Sequence, residues 1–165
     1  MIKTDQQYQQ ARILYREGTE QLQKQVEGLK LREYSVEEIQ CLTGCTARML
    51  EENKQALDLY KRLRAKDPTA LRELSLNRQL IGLRIFLGLS QSKLAALLGV
   101  SRSDVARDER NDYSDLTLER YYQILRAMGL NLIPVYVQGD WNDAKAAELR
   151  LCGLPIEDSN KIIIG

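Results

Sequence analysis

Histidine is absent from this chain of 165 residues, which removes the commonest general base in enzymes. The Ser-His and Cys-His pairs that activate nucleophiles are excluded with it. The sequence also shows no phosphate-binding loop, no dinucleotide-binding fingerprint and no spacing typical of metal ligands. We therefore expect a protein that is not an enzyme and that binds neither a cofactor nor a metal.

Cysteine occurs only three times, at Cys41, Cys45 and Cys152. An odd number of cysteines without an export signal favours reduced thiols over disulfides. Cys41 and Cys45 are four residues apart and could share a helix face, but a zinc site there would also need Cys152 and a carboxylate. We predict that the cysteines are small buried core residues.

Long apolar runs are missing as well, because none approaches the roughly 18 to 20 residues that span a bilayer. The first five residues become polar at once and lack the apolar stretch of a secretory signal. These absences favour a cytoplasmic protein without a membrane partner. The net charge is only +1, so any binding to nucleic acid must depend on local arrangement rather than on overall charge.

Residues 1–66 carry the pattern of amphipathic helices. A capping box of Thr4 and Gln7 begins a long helix, and a box of Ser35 and Glu38 begins a short helix that Gly44 should end. A third helix completes the segment, and the long helices favour a helical hairpin used for packing or dimerisation. A second interpretation stays open, in which the hairpin is a docking surface for another protein. The apolar stripe of the third helix contains Met49, Asn53, Ala56, Tyr60 and Leu63.

Residues 67–130 have the pattern of a compact bundle of short helices. Asp67 and Pro68 are typical of an N-cap and the first position of a helix. Closely spaced stop signals then follow at Gly88, Gly99, Asn111 with Asp112, and Gly129.

Residues 131–165 form the third predicted segment. The stretch from Asn131 to Val137 is rich in β-branched and aromatic residues, which predicts a short strand. A brief helix should follow from Ala144 to Leu151, and the residues after it are irregular or form a second small strand.

The passage from Leu89 to Arg110 contains what two crossing helices need. Ser90 can cap a first helix whose Leu94 and Leu98 face the core, while Ala95 is small enough for a second helix to cross closely. The turn comes from Gly99 in a left-handed conformation, with Val100 filling the core beneath it.

The second helix of this passage has an inward and an outward side. Ser101 can cap it, with Asp104 as a capping-box partner, and Val105 faces inward. Arg102, Ser103 and Arg107 project outward from it.

These residues resemble the Cro/C1 repressor family, also called the Xre family, which has the pattern LSQ-x-x-LA-x-x-LGVS followed by a helix. The resemblance extends from about Leu76 to Leu132. It implies an all-α fold: a five-helix lambda-repressor-like helix-turn-helix domain, preceded by the helical hairpin and followed by a short dimerisation strand. It also implies that the second helix enters the major groove of double-stranded DNA. The DNA-binding residues it implies are Gln91, Ser92, Ser101, Arg102, Ser103, Asp104, Arg107 and Arg110.

The segment after the bundle is similar to that of helix-turn-helix antitoxins, in which a strand pairs with its copy in another subunit. An unpaired strand would leave backbone groups and apolar surface exposed, so we predict a homodimer. The hairpin is similar to that of HigA-like antitoxins. The expected dimer interface contains Leu132, Ile133, Val135, Tyr136 and Val137.

Three functions remain open at this point. The first is a homodimeric, sequence-specific repressor on a palindromic operator. The second is an antitoxin that neutralises a small basic ribonuclease toxin and represses its own operon. The third is a protein-interaction module whose helix no longer binds DNA, suggested by Asp104 and by Asp108, which replaces a usually apolar residue.

Overall fold

The computed structural model describes residues 1–131, 135–137 and 161–163, the last two segments as backbone only. The chain divides into two compact units, residues 1–115 and 116–165. The all-helical class is confirmed for most of the described residues, while the predicted boundary at residue 66 lies inside the first unit. That unit holds α1 (Asp5–Leu31), α2 (Val36–Arg64), α3 (Pro68–Arg72), α4 (Leu76–Phe86), α5 (Gln91–Leu98) and α6 (Arg102–Arg110).

The second unit holds one described helix, α7 (Leu118–Ala127), and two strands of three residues each. Thr117 caps α7 by accepting a hydrogen bond from the backbone N–H of Arg120. The strands β1 (Val135–Val137) and β2 (Lys161–Ile163) pair antiparallel, with Val135 opposite Ile163. The sequence predicted that β1 pairs with its copy in a second subunit, whereas its partner here is a strand of the same chain. Leu132, Ile133 and the predicted helix from Ala144 to Leu151 lie outside the described residues.

Helices α1 and α2 run antiparallel and pack along their lengths. The ring of Tyr8 stacks on that of Tyr60 with centroids 5.1 Å apart. One turn further along α1, the backbone oxygen of Ala11 accepts a hydrogen bond from Asn53. Beyond that, a Cβ added to Gly18 would lie 2.8 Å from Leu50 Cδ2, so α2 approaches α1 closely there. Residues later in α1 therefore contact residues earlier in α2, as expected for antiparallel helices.

Helix α2 is continuous, and the prediction that a helix ends at Gly44 is wrong. The capping box at its start is confirmed, since Ser35 and Glu38 exchange backbone and side-chain hydrogen bonds. Gly44 lies in the helix interior with nothing within 4 Å of an added Cβ. A glycine there costs only about 0.5–1 kcal/mol relative to alanine, and the packing of Ile39 and Thr43 on one side of it outweighs that cost.

The two cysteines that the structure describes are exposed, so the prediction that they are buried core residues is wrong for them. Met49, expected on the apolar stripe, is also 66% exposed. The reason is that the buried side of this part of α2 contains Ile39 and Thr43, while Cys41 and Cys45 lie elsewhere on its circumference. Cys152 lies outside the described residues.

Helix ends in the remainder of the first unit follow the predicted caps. Asp67 accepts a hydrogen bond from the backbone N–H of Thr69 and Pro68 opens α3, as predicted. Hydrogen bonds from Thr69 and from Arg62 lower the pKa of Asp67 to about 2. Gly88, with φ of 71°, follows the end of α4. The turn residues were therefore readable from sequence even where helix lengths were not.

Gly82 and Gly44 are both helical glycines with opposite surroundings, and they provide a matched test of packing. A Cβ on Gly82 would lie 2.4 Å from Leu74 Cδ1 and 3.1 Å from Leu71 Cδ2. We expect Gly82→Ala to lower the free energy of unfolding by about 1–3 kcal/mol through overpacking. Gly44→Ala should raise it by about 0.5–1 kcal/mol. Urea denaturation of both variants checks this, and a stabilised Gly82→Ala protein would contradict the packing described.

No single helix in the described segments is long and apolar enough to cross a membrane; only α4 and α5 together have that length and composition, and they are bent by 105° where they meet.

Candidate functional site

Helices α5 and α6 are joined by a tight turn whose geometry follows from its residues. Gly99 ends α5 with φ of 67°, a left-handed conformation that glycine adopts without steric cost. The backbone N–H of Val100 donates to Ala95 O at 3.0 Å and closes the turn. Ser101 and Asp104 then form a reciprocal capping box that starts α6. The predicted helix, turn and helix are present.

The contact between α5 and α6 is apolar at its centre. Leu94, Ala95 and Val105 are each at most 3% exposed, as expected for the inward side of both helices. Leu98 and Val100 are only half-buried, so they lie at the edge of the core rather than within it. The small Ala95 side chain allows the close crossing, and the outward side of α6 is thereby fixed.

A buried ion pair holds α6 against α4 and α5. Glu109 is fully buried and Arg84 is 3% exposed. The Arg84 guanidinium donates to both carboxylate oxygens of Glu109, at 2.8 Å for the Nη2–Oε2 bond. Gln91 Nε2 donates to the same Oε2 at 2.8 Å. Gln91, which the resemblance placed among the DNA-binding residues, thus braces α6 through this contact.

Glu109 was not among the residues predicted to be functional, although its position in the sequence indicates burial. It follows Val105 by four residues and therefore lies on the inward side of α6, where an unpaired carboxylate would be costly. An arginine or amide partner was to be expected from that position alone.

The first residues of the chain are anchored to the end of α6. Ile2 is buried, and the backbone oxygen of Lys3 accepts a hydrogen bond from Arg84 at 2.8 Å. Lys3 Nζ donates to the Glu109 carbonyl and to Asp112 Oδ1, the latter at 2.8 Å. Burial alone would raise the pKa of Asp112, but hydrogen bonds from Lys3 and Arg78 outweigh it and lower the pKa. This segment thus places the beginning of α1 beside α6.

The outward side of α6 exposes the side chains that the resemblance assigned to DNA. Arg102, Ser103, Arg107 and Arg110 are all exposed. Ser92, on the first turn of α5, is exposed as well, while the Ser101 hydroxyl is occupied in the cap and lies 2.7 Å from Ser103 Oγ. Of the predicted residues, only Gln91 has a buried side chain.

Two carboxylates on α6 lie beside one of its arginines. Arg107 Nη2 is 3.2 Å from Asp104 Oδ1, and Arg107 Nε is 3.8 Å from Asp108 Oδ1. Asp104 also uses its other oxygen in the capping box with Ser101. Arg107 is therefore partly neutralised by its own helix, whereas Arg102 and Arg110 form no ion pair within the part of the chain that the structure describes.

The candidate site offers charge and hydrogen-bond donors rather than reactive groups. Among residues 1–131, no cluster of three or more His, Cys, Asp or Glu side chains could hold a metal ion. Ser103 and the exposed arginines form a convex helix surface, which suits a groove on a larger polyanion.

Residues 83–134 match the family model described as helix-turn-helix. The match begins within α4 and includes α5, α6 and α7, so this segment is a helix-turn-helix domain of the Xre/Cro/C1 type and the resemblance is confirmed. Comparison with the curated proteins and with the solved structures gave no match. The chain therefore contains the DNA-binding domain of a transcription regulator.

Proposed function

We propose that the protein is a sequence-specific transcriptional repressor that acts by binding rather than by catalysis. The observation that carries the proposal is the outward side of α6. It presents Arg102, Ser103 and Arg107 together, on a helix that a buried ion pair and an N-terminal capping box hold in place. Arginine can donate two hydrogen bonds to guanine in the major groove, and serine can contact any base edge.

A homodimer is part of the proposal. α6 has nine residues, so one copy contacts only a few base pairs, and two copies related by a twofold axis would read a palindrome. The half-sites should lie about one helical turn, roughly 34–36 Å, apart. The pairing of β1 with β2 leaves the outer edges of a two-stranded sheet for a second copy, which supports an interface including Val135, Tyr136 and Val137.

The test is selection of duplexes from a random-sequence pool with the purified protein. We expect enrichment of one sequence with twofold symmetry, bound as a dimer and with an affinity that falls steeply as salt concentration rises. Sedimentation of the protein with the selected duplex gives the stoichiometry. No enrichment, or binding without salt dependence, would instead favour the interaction module with a degenerate helix.

Asp108→Asn should increase DNA affinity about fivefold. The carboxylate lies beside the surface that would face phosphates, and removing one charge there is worth about 1 kcal/mol in water-like surroundings. The change also frees Arg107 from one of its two acidic neighbours. Fluorescence anisotropy with the selected duplex measures the effect. Glu52→Gln, which removes an exposed carboxylate of α2, is the control and should leave the affinity unchanged.

A second candidate function is that of an antitoxin, favoured by an exposed side of α2. Leu42 and Met49 lie seven residues apart and are 54% and 66% exposed. The exposed Glu38 and Glu52 bracket them at helical spacing. An apolar stripe between carboxylates suits a basic protein partner better than a second copy, which would place like charges together.

Co-expression with the product of any adjacent short, basic reading frame tests the antitoxin candidate. We expect co-purification that Leu42→Asp with Met49→Asp abolishes, and suppression of the partner's ribonuclease activity. Co-purification unaffected by these two changes would show that this side of α2 is not the docking surface.

A further inference from the structure

An open groove of about 550 Å³ runs between α1 and α6. Gln6 and Gln10 of α1 line one side, and Arg102, Ala106 and Arg110 of α6 line the other. These three residues of α6 follow one another at intervals of four, so a single face of α6 borders the groove along its whole length. We call this feature the α1–α6 groove.

The lining of the α1–α6 groove contains cations and no carboxylate. Arg102 and Arg110 are exposed and have no acidic partner in the described segments. Lys3, another cation of the lining, is already paired with Asp112. Two uncompensated guanidinium groups therefore remain, and they favour an anionic occupant.

The glutamines of the α1–α6 groove add neutral donors to these charges. Gln6 and Gln10 are exposed, lie one turn apart and, among the described residues, make no hydrogen bond through their side chains. Gln7, by contrast, accepts a hydrogen bond from the backbone N–H of Lys3. Free amides beside arginines are typical of surfaces that contact phosphate oxygens.

We propose that the α1–α6 groove binds the sugar-phosphate strand next to the bases read by α6, which makes α1 a second DNA-contacting helix. The inference rests on the proposed function. Arg102 belongs both to the groove and to the outward side of α6, so the two surfaces are continuous. From Arg102 to Arg110 the helix rises about 12 Å, which matches the axial length of three or four phosphates on one strand.

The test adds a positive charge to the groove, since a gain of affinity cannot result from misfolding. With a duplex selected by the wild-type protein, Gln10→Lys and Gln6→Lys should each steepen the slope of log affinity against log salt by about 0.9. At 0.15 M salt this corresponds to an affinity gain of about fivefold. Gln25→Lys is the matched control, because it lies about 22 Å further along α1, beyond the screening length of roughly 10 Å.

Each outcome decides the proposal. A steeper slope for the two groove variants but not for Gln25→Lys supports it. Equal changes in all three variants would show an effect of net charge alone and would overturn the proposal. Unchanged slopes in the groove variants would show that phosphates do not enter the groove, which would also overturn the proposal. An acidic protein segment would then be the occupant to seek. If Arg102→Ala still weakens binding in that case, the proposed function survives. If the wild-type protein selects no duplex, both proposals fail together.

Discussion

Glu109→Ala is expected to lower the free energy of unfolding by about 3–5 kcal/mol, because it leaves the buried Arg84 guanidinium without its counter-charge. Arg84 is 3% exposed, so water cannot replace the lost carboxylate. The same change removes the acceptor of the Gln91 amide and a link between α6 and two other helices. Urea denaturation followed by far-ultraviolet circular dichroism measures the loss.

A double variant separates the burial of a lone charge from the value of the pair itself. Arg84→Met with Glu109→Leu removes both charges and fills similar volume, so we expect it to be more stable than either single variant. If the double variant is as unstable as Glu109→Ala, the ion pair must stabilise the fold by more than it does through preventing an unpaired buried charge. A Glu109→Ala protein within 1 kcal/mol of wild type would contradict the buried position of Arg84.

The candidate site could largely be predicted from sequence because its determinants are local. Ser90, Gly99 and Ser101 cap or turn the chain through contacts within a few residues, and all three behave as the motif indicates. The exposure of Arg102 and Arg107 follows from the inward position of Val105 on the same short helix. The spacing of residues along a helix is enough to predict which side chains of α6 face inward and which face outward.

What could not be predicted depends on contacts distant in sequence. Lys3 contacts residues more than 100 positions away in the sequence, and no local sequence pattern predicts those contacts. Gly44 is a residue type that often ends helices, but the packing of Ile39 and Thr43 outweighs its cost and α2 continues through it. The positions of Cys41 and Met49 were misjudged for a related reason, since the face of α2 that α1 covers is narrower than the apolar pattern suggested.

The α1–α6 groove also depends on contacts between residues that are distant in sequence. Gln6 and Gln10 are unremarkable in a helix rich in glutamine, and they gain significance only because the anchored N-terminal segment brings them beside Arg102. The sequence therefore indicated α6 as the helix proposed to face DNA, but it did not indicate α1 beside it.

Arg102→Ala combined with Arg107→Ala should reduce affinity for the selected duplex by about 1.5 to 4 orders of magnitude. Each arginine that contacts a base is worth about 1–3 kcal/mol, and two positions on one helix add approximately. Both side chains are exposed, so the folded structure should be unaffected. Affinity for random-sequence DNA should fall less, since the base contacts are lost only from the selected duplex, whereas the phosphate contact of Arg102 is lost from both duplexes.

The control for this double variant is Arg32→Ala with Arg48→Ala, which removes the same charge from two exposed positions outside α6, Arg32 at the end of α1 and Arg48 within α2. We expect it to bind the selected duplex as the wild-type protein does. Anisotropy titrations of both double variants against selected and random duplexes give the specificity ratio. An unchanged ratio for the α6 variant would mean that these arginines do not read the bases. An equal loss in the control variant would assign the effect to overall charge. We do not expect this outcome, because a net charge of +1 is too small to hold DNA by itself.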